Sequence, residues 1–171
     1  MAESANRPKF VKPGVGQALH SPGGDRITPK VGSAESGGAF QLTEDELAPG
    51  GGPPLHVHAR EDETFYVLEG EVTFFVCEPG DARGTTGKPV VAPKGSTLFG
   101  PRGTAHTFRN RTDKPAKLLI IISPGANFEA FFQKIGVPGA AGGEPTEAEM
   151  IQRLKDNAPS HGITILGPNP L

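Results

Sequence analysis

Short runs of alternating apolar and polar residues, separated by Gly- and Pro-rich breaks, occupy the middle of the chain. In residues 40–47, Phe40, Leu42 and Leu47 stand within a polar run that fits a half-buried strand, which ends at Pro49-Gly50-Gly51-Gly52-Pro53-Pro54. Further strands are predicted over residues 55–59, 64–68, 71–76, 90–91, 97–99, 104–110 and 117–123, with turn residues at each junction. Glu69-Gly70 between two of them reads as a two-residue hairpin, with Leu68 opposite Glu71. The polar stretch 78–89 reads as a loop. Short strands at this regular spacing predict a closed antiparallel structure. The run from Leu118 to Ile122 is apolar on both faces, so that strand is expected to be covered on both sides, by the interior and by a helix or a second subunit.

The two ends differ from the middle. Residues 1–37 are rich in Gly, Pro and Ser, with weak strand signals at 17–20 and 27–31, and read as an N-terminal arm. Residues 38–124 read as the barrel, and residues 125–171 as a C-terminal helical extension. There Phe128, Phe131, Phe132 and Ile135 fall on one helical face, with Asn127 placed as the cap and Gly136 and Pro138 as the stop. Thr146 and Glu149 form a capping box ahead of Met150, Ile151 and Leu154, predicting a second helix. The aromatic face of the first helix reads as packing.

Composition narrows the class. The chain has 24 Gly and 18 Pro in 171 residues, too much punctuation for a helical bundle. A net charge of −2 and the lack of a basic run give no reason to bind nucleic acid. No stretch is apolar for long enough to span a bilayer and no signal-peptide profile opens the chain, so no membrane partner and a cytoplasmic location are expected. Cys77 is the single cysteine, which excludes an internal disulfide and reads as a small buried side chain.

The chemistry lies in the histidines. His56 and His58 are two apart at a strand start, so both imidazoles can point at one spot. Glu63 follows after a turn and shares a face with Phe65 and Val67, whereas Asp62 faces away and Glu61 lies within the turn as a rival carboxylate. His106 comes from a later strand, alternating with Phe108 and Asn110. Three imidazoles and one carboxylate can hold a divalent ion and leave open positions. Alternation through the hairpin places Phe65, Val67, Val72, Phe74 and Phe108 around the ion as a substrate pocket, with Val76 on the same side. It leaves Tyr66, Leu68, Phe75 and Cys77 facing outward, for which a homodimer is the economical cover. His20 and His161 lie among Gly, Pro and Ser and read as solvated; Asn110-Arg111-Thr112 reads as a strand end.

These residues resemble the cupin superfamily. Gly50, His56, His58, Glu63 and Gly70 match its first motif, G-x5-H-x-H-x3,4-E-x6-G, and Gly95, Pro101, Gly103, His106 and Asn110 match its second, G-x5-P-x-G-x2-H-x3-N. The resemblance implies an all-β antiparallel jelly-roll barrel in which His56, His58, Glu63 and His106 hold one divalent transition metal (Fe, Mn, Ni or Zn). The sequence His-Val-His, then Glu-Asp-Glu-Thr-Phe-Tyr-Val-Leu-Glu-Gly, is similar to bacterial cupins grouped with quercetin-type flavonol dioxygenases. That implies oxidation of a small enol or flavonol-like molecule, with Glu63 as both ligand and general base. The same ligands serve decarboxylases and isomerases, and a non-enzymatic small-ligand-binding sensor or storage module is the alternative from another class.

Overall fold

The structure is a computed structural model, in which residues 7–125, 128–138 and 146–171 are described. Twelve strands and two α-helices follow in order among these residues: β1 Leu19–Ser21, β2 Asp25–Val31, β3 Gln41–Leu47, β4 Leu55–His58, β5 Asp62–Glu69, β6 Glu71–Val76, β7 Lys88–Pro93, β8 Thr97–Gly100, β9 His106–Arg109, β10 Ala116–Ser123, α1 Phe128–Ile135, β11 Val137–Pro138, α2 Glu147–Asn157 and β12 Ile163–Gly167. They form two antiparallel sheets, ordered β11-β1-β2-β3-β10-β5-β8 and β12-β4-β9-β6-β7. No helix among the described residues is long and apolar enough to cross a membrane.

Aromatic side chains join the sheets. Phe65 projects inward from β5, and Phe74 and Phe108 from the paired positions of β6 and β9. Their ring centroids lie 5.3, 5.6 and 5.9 Å apart in tilted or edge contacts. Such rings prefer these arrangements, and burying each contributes about 1.5–3 kcal/mol. Val67, Val72, Leu118 and Ile122 complete this closed core at 1 % exposure or less.

The Glu69-Gly70 turn departs from the expected hairpin. β5 and β6 belong to different sheets, so Gly70 (φ 73°) turns a corner between sheets rather than joining paired strands. The inward phase of Val67, Val72 and Phe74 survives, because both strands still present one face to the common interior. Cys77 is buried, not outward: its backbone N–H donates to Ala105 O, and the following loop folds over it. Asp81 organises that loop by accepting hydrogen bonds from the backbone N–H groups of Arg83, Gly84, Thr85 and Thr86.

The two ends contribute more strand than the sequence pattern suggests. β2 pairs with β3 along most of its length, so residues of the predicted arm extend the larger sheet. β12 pairs with β4, directly beside the His56 and His58 positions. Its signal was present in Ile163-Thr164-Ile165-Leu166 between two glycines, a β-branched run after the helices. α2 starts at the predicted place: Glu149 N–H donates to Thr146 Oγ1 and Thr146 N–H to Glu149 Oε2. α1 spans the predicted face, while its expected cap, Asn127, lies outside the described residues.

Among the described residues, the outer face of β10 is left uncovered. Ile121 is 38 % exposed, Tyr66 43 % and Phe99 58 %, and strand register puts Ile121 and Phe99 on either side of Thr64. The interior covers one side of this strand only.

Candidate metal centre

Strand pairing brings the candidate ligands together. His56 on β4 is directly opposite His106 on β9. Glu63 lies at the start of β5 in the facing sheet, and the turn after β8 is tied beside it by Asp62, which accepts from the Arg102 backbone N–H (2.8 Å), Nε (2.9 Å) and Nη2 (2.7 Å). At the other end of β9, buried Asn110 donates through Nδ2 to Leu47 O and Lys114 O and accepts from Thr112 N–H. Gly52 (φ 150°) lets the loop before β4 pass against β9, since a Cβ there would sit 2.1 Å from Phe108 O.

One ligand atom from each of His56, His58, Glu63 and His106 lies within 4.8 Å of the others, and all four side chains are buried. Glu63 Oε2 is 2.7 Å from His106 Nε2 and 3.3 Å from His58 Nε2. The outward nitrogens face acceptors: His56 Nδ1 lies 2.8 Å from Pro54 O, and His106 Nδ1 3.0 Å from Thr104 O. Those carbonyls fix each ring with Nδ1 protonated and Nε2 turned inward as a lone-pair donor.

His58 is held differently. Its Nδ1 lies 3.8 Å from Glu61 Oε2, too long for a hydrogen bond but close for a charge contact, and Glu61 is only 2 % exposed. Glu61, the rival carboxylate in the turn, therefore stands behind His58. Sequence parity carried no signal for this, because a turn residue has no fixed face.

Electrostatics follow from this crowding. Burial and the neighbouring imidazoles of His106 and His58 push His56 down to about 3, so it is neutral at ordinary pH. Burial also pulls on His58, but the carboxylates of Glu63 and Glu61 outweigh it and lift the imidazole to about 9. Burial works against the charged form of Glu63 as well, yet His58 and His106 hold its carboxyl well below the usual range. Among the described residues, His58 Nδ1 and Nε2 nonetheless have no hydrogen-bond partner. A buried imidazole nitrogen without a partner, aimed at two further imidazoles and a carboxylate, fits a divalent metal ion.

A cavity opens from these candidate ligands, with about 560 Å³ of empty space when the open solvent at its mouth is included. His56, His58 and Glu63 line it, with Phe108, Ile120, Ile163, Ile165, Leu154 and the α1 face Phe128, Phe131, Phe132 and Ile135. The helix face read as packing is thus also a cavity wall, and the Phe128 ring centroid lies 5.1 Å from that of His58. Of the five expected pocket residues only Phe108 is in this lining. Phe65, Val67, Val72 and Phe74 are packed into the closed core instead, because the cavity runs from the ligands toward the helices and β12. His161 is also buried rather than solvated, its Nδ1 2.9 Å from Asn157 O and its ring 5.4 Å from Phe131. The sequence reading did not find Asp25 and Asp45, which line the cavity too.

A family profile described as Cupin domain matches residues 43–122, the span holding all four candidate ligands. Residues 43–122 therefore form a cupin domain. This cupin is 26 % identical over 164 residues to quercetin 2,3-dioxygenase of Bacillus subtilis (strain 168), covering 94 % of the chain and 45 % of the relative. It is 33 % identical over 98 residues to the tetracenomycin polyketide synthase protein TcmJ of Streptomyces glaucescens, covering 57 % of the chain and 58 % of that relative. The cupin chain thus spans about half the length of these curated relatives. Among solved structures, the polyketide cyclase RemF of Streptomyces resistomycificus shares the fold at a TM-score of 0.57 and 24 % identity, over 69 % of this chain and 80 % of that one.

Proposed function

We propose that this cupin is a metal-dependent dioxygenase acting on a small enol or flavonol-like compound. The observation that carries the reading is the cavity, which joins three of the four candidate ligands to a wall of aromatic and branched side chains. When bound, a divalent metal supplies Lewis-acid activation of a substrate oxygen and access to O2 chemistry. Glu63, kept ionised by its imidazole neighbours, is in the right state to accept the proton of a substrate hydroxyl. Phe108, Phe128 and Phe132 offer flat apolar surface to an aromatic body and exclude water around it. The carbonyls of Pro54 and Thr104 keep His56 and His106 oriented throughout. The likeness to a quercetin 2,3-dioxygenase over nearly the whole chain supports the same substrate class.

The test is O2 consumption by protein loaded with Fe(II), Mn(II) or Ni(II), offered flavonols and 1,3-diketones. Metal-dependent uptake that Glu63→Ala abolishes is expected. Tight flavonol binding without O2 uptake under every metal would overturn the catalytic reading and leave a small-ligand-binding module.

A further inference from the structure

Away from the four ligands, the same cavity holds a second group of buried polar atoms. Asp25 on β2 and Asp45 on β3 are diagonal neighbours in the strand register, Asp25 opposite Leu47 and Ile27 opposite Asp45. They are 2 % and 1 % exposed, and both line the cavity. Among the described residues, Asp25 Oδ1 and Asp45 Oδ1 have no hydrogen-bond partner, and no Lys or Arg lines the cavity to neutralise them. Native proteins rarely leave buried carboxyl oxygens without partners, since each loses its water and gains nothing in return.

Building on the reading of a metal-held enol above, we propose that Asp25 and Asp45 form a second polar anchor of the cavity, which takes hydroxyl groups on the part of the substrate remote from the metal. Burial, with the Glu63 and Glu46 charges, raises Asp45 to about 8, and burial beside Asp45 raises Asp25 in the same direction. A pair that keeps a proton at neutral pH both donates and accepts, as a hydroxyl does. An apolar middle with polar groups at two places suits a flat aromatic molecule bearing an enol at one end and hydroxyls at the other. The pair thereby selects polyhydroxylated over plain flavonols. Neither residue belongs to the metal centre, so the preference is separable from metal binding.

The experiment titrates the zinc-loaded protein with quercetin and with 3-hydroxyflavone, which shares the enol and lacks the other hydroxyls, under argon. Wild type is expected to bind quercetin at least about tenfold more tightly. Asp25→Leu and Asp45→Leu should bring that ratio to within about threefold by weakening quercetin alone, with zinc content unchanged, while Asp45→Asn keeps most of the preference. An unchanged ratio in both leucine variants, or no preference in wild type, overturns the proposal. If wild type binds neither flavonol, the dioxygenase reading fails separately, and the melting temperature of ligand-free Asp45→Leu decides: a rise supports a pair kept for a ligand at the fold's expense, and a fall shows that it serves the fold.

Discussion

Glu61 tests how far the centre depends on groups behind the ligands. The change Glu61→Gln keeps the side chain's shape at a site 2 % exposed and removes the charge 3.8 Å from His58 Nδ1. At an effective dielectric of 20, a full charge pair at that separation is worth about 4 kcal/mol, which bounds the effect from above. A metal-bound imidazole carries only part of that charge, so a loss of about 10–100-fold in metal affinity is expected, equivalent to about 1.4–2.7 kcal/mol. The assay is competition for Zn(II) against a chromophoric chelator at pH 7.5, with the melting curve of the metal-free variant as a folding control. Affinity within twofold of wild type, in a variant that folds normally, would refute the claim that the Glu61 charge beside His58 supports metal binding.

Other outcomes follow from the same geometry. Below about pH 9 the metal-free site carries the His58 proton, which the metal must displace, while His56 at about 3 carries none. Metal affinity should therefore fall close to tenfold per unit as pH drops from about 8 to about 6, and a flat profile in chelator competition would contradict this. In the metal-free protein the sign is set by the same raised imidazole: the stability it contributes is full below about pH 6.5 and lost as pH rises toward 9, visible in urea midpoints. His106→Ala should lose most bound metal by elemental analysis yet keep a β-sheet circular dichroism spectrum. Asn110→Ala leaves Leu47 O and Lys114 O without their donor and should cost about 3 kcal/mol in urea unfolding; less than about 1 kcal/mol would remove its clamping role. A second copy of this chain is expected on the Tyr66, Phe99 and Ile121 face, so sedimentation should give a dimer that Ile121→Lys converts to monomer.

The strands and the convergence of His56, His58, Glu63 and His106 were legible because alternation is a rigid rule. Once His56, His58 and Glu63 are placed on strands, parity alone decides which side they face. β3 shows where the rule misleads. The apolar Phe40, just before it, and Leu42 point to one face, but Gln41, Thr43, Asp45 and Leu47 are the buried set. Gln41 and Thr43 are buried as a pair, Gln41 Nε2 donating to Thr43 Oγ1, and Asp45 turns into the cavity, so Glu44-Asp45-Glu46 reads as a solvated edge although its middle residue is inside. The hairpin at Gly70 failed for a different reason, since a tight turn signal cannot tell a paired return from a corner between sheets. β12 and the cavity role of α1 depend on contacts a hundred residues away, which no local window contains.

X-ray absorption on the purified protein addresses the metal centre most directly. One equivalent of a first-row divalent ion, surrounded by three imidazole nitrogens and a carboxylate oxygen, with the signal lost in His106→Ala, is the predicted result. Stoichiometric metal bound without imidazole scattering, or unaffected by that substitution, would contradict it.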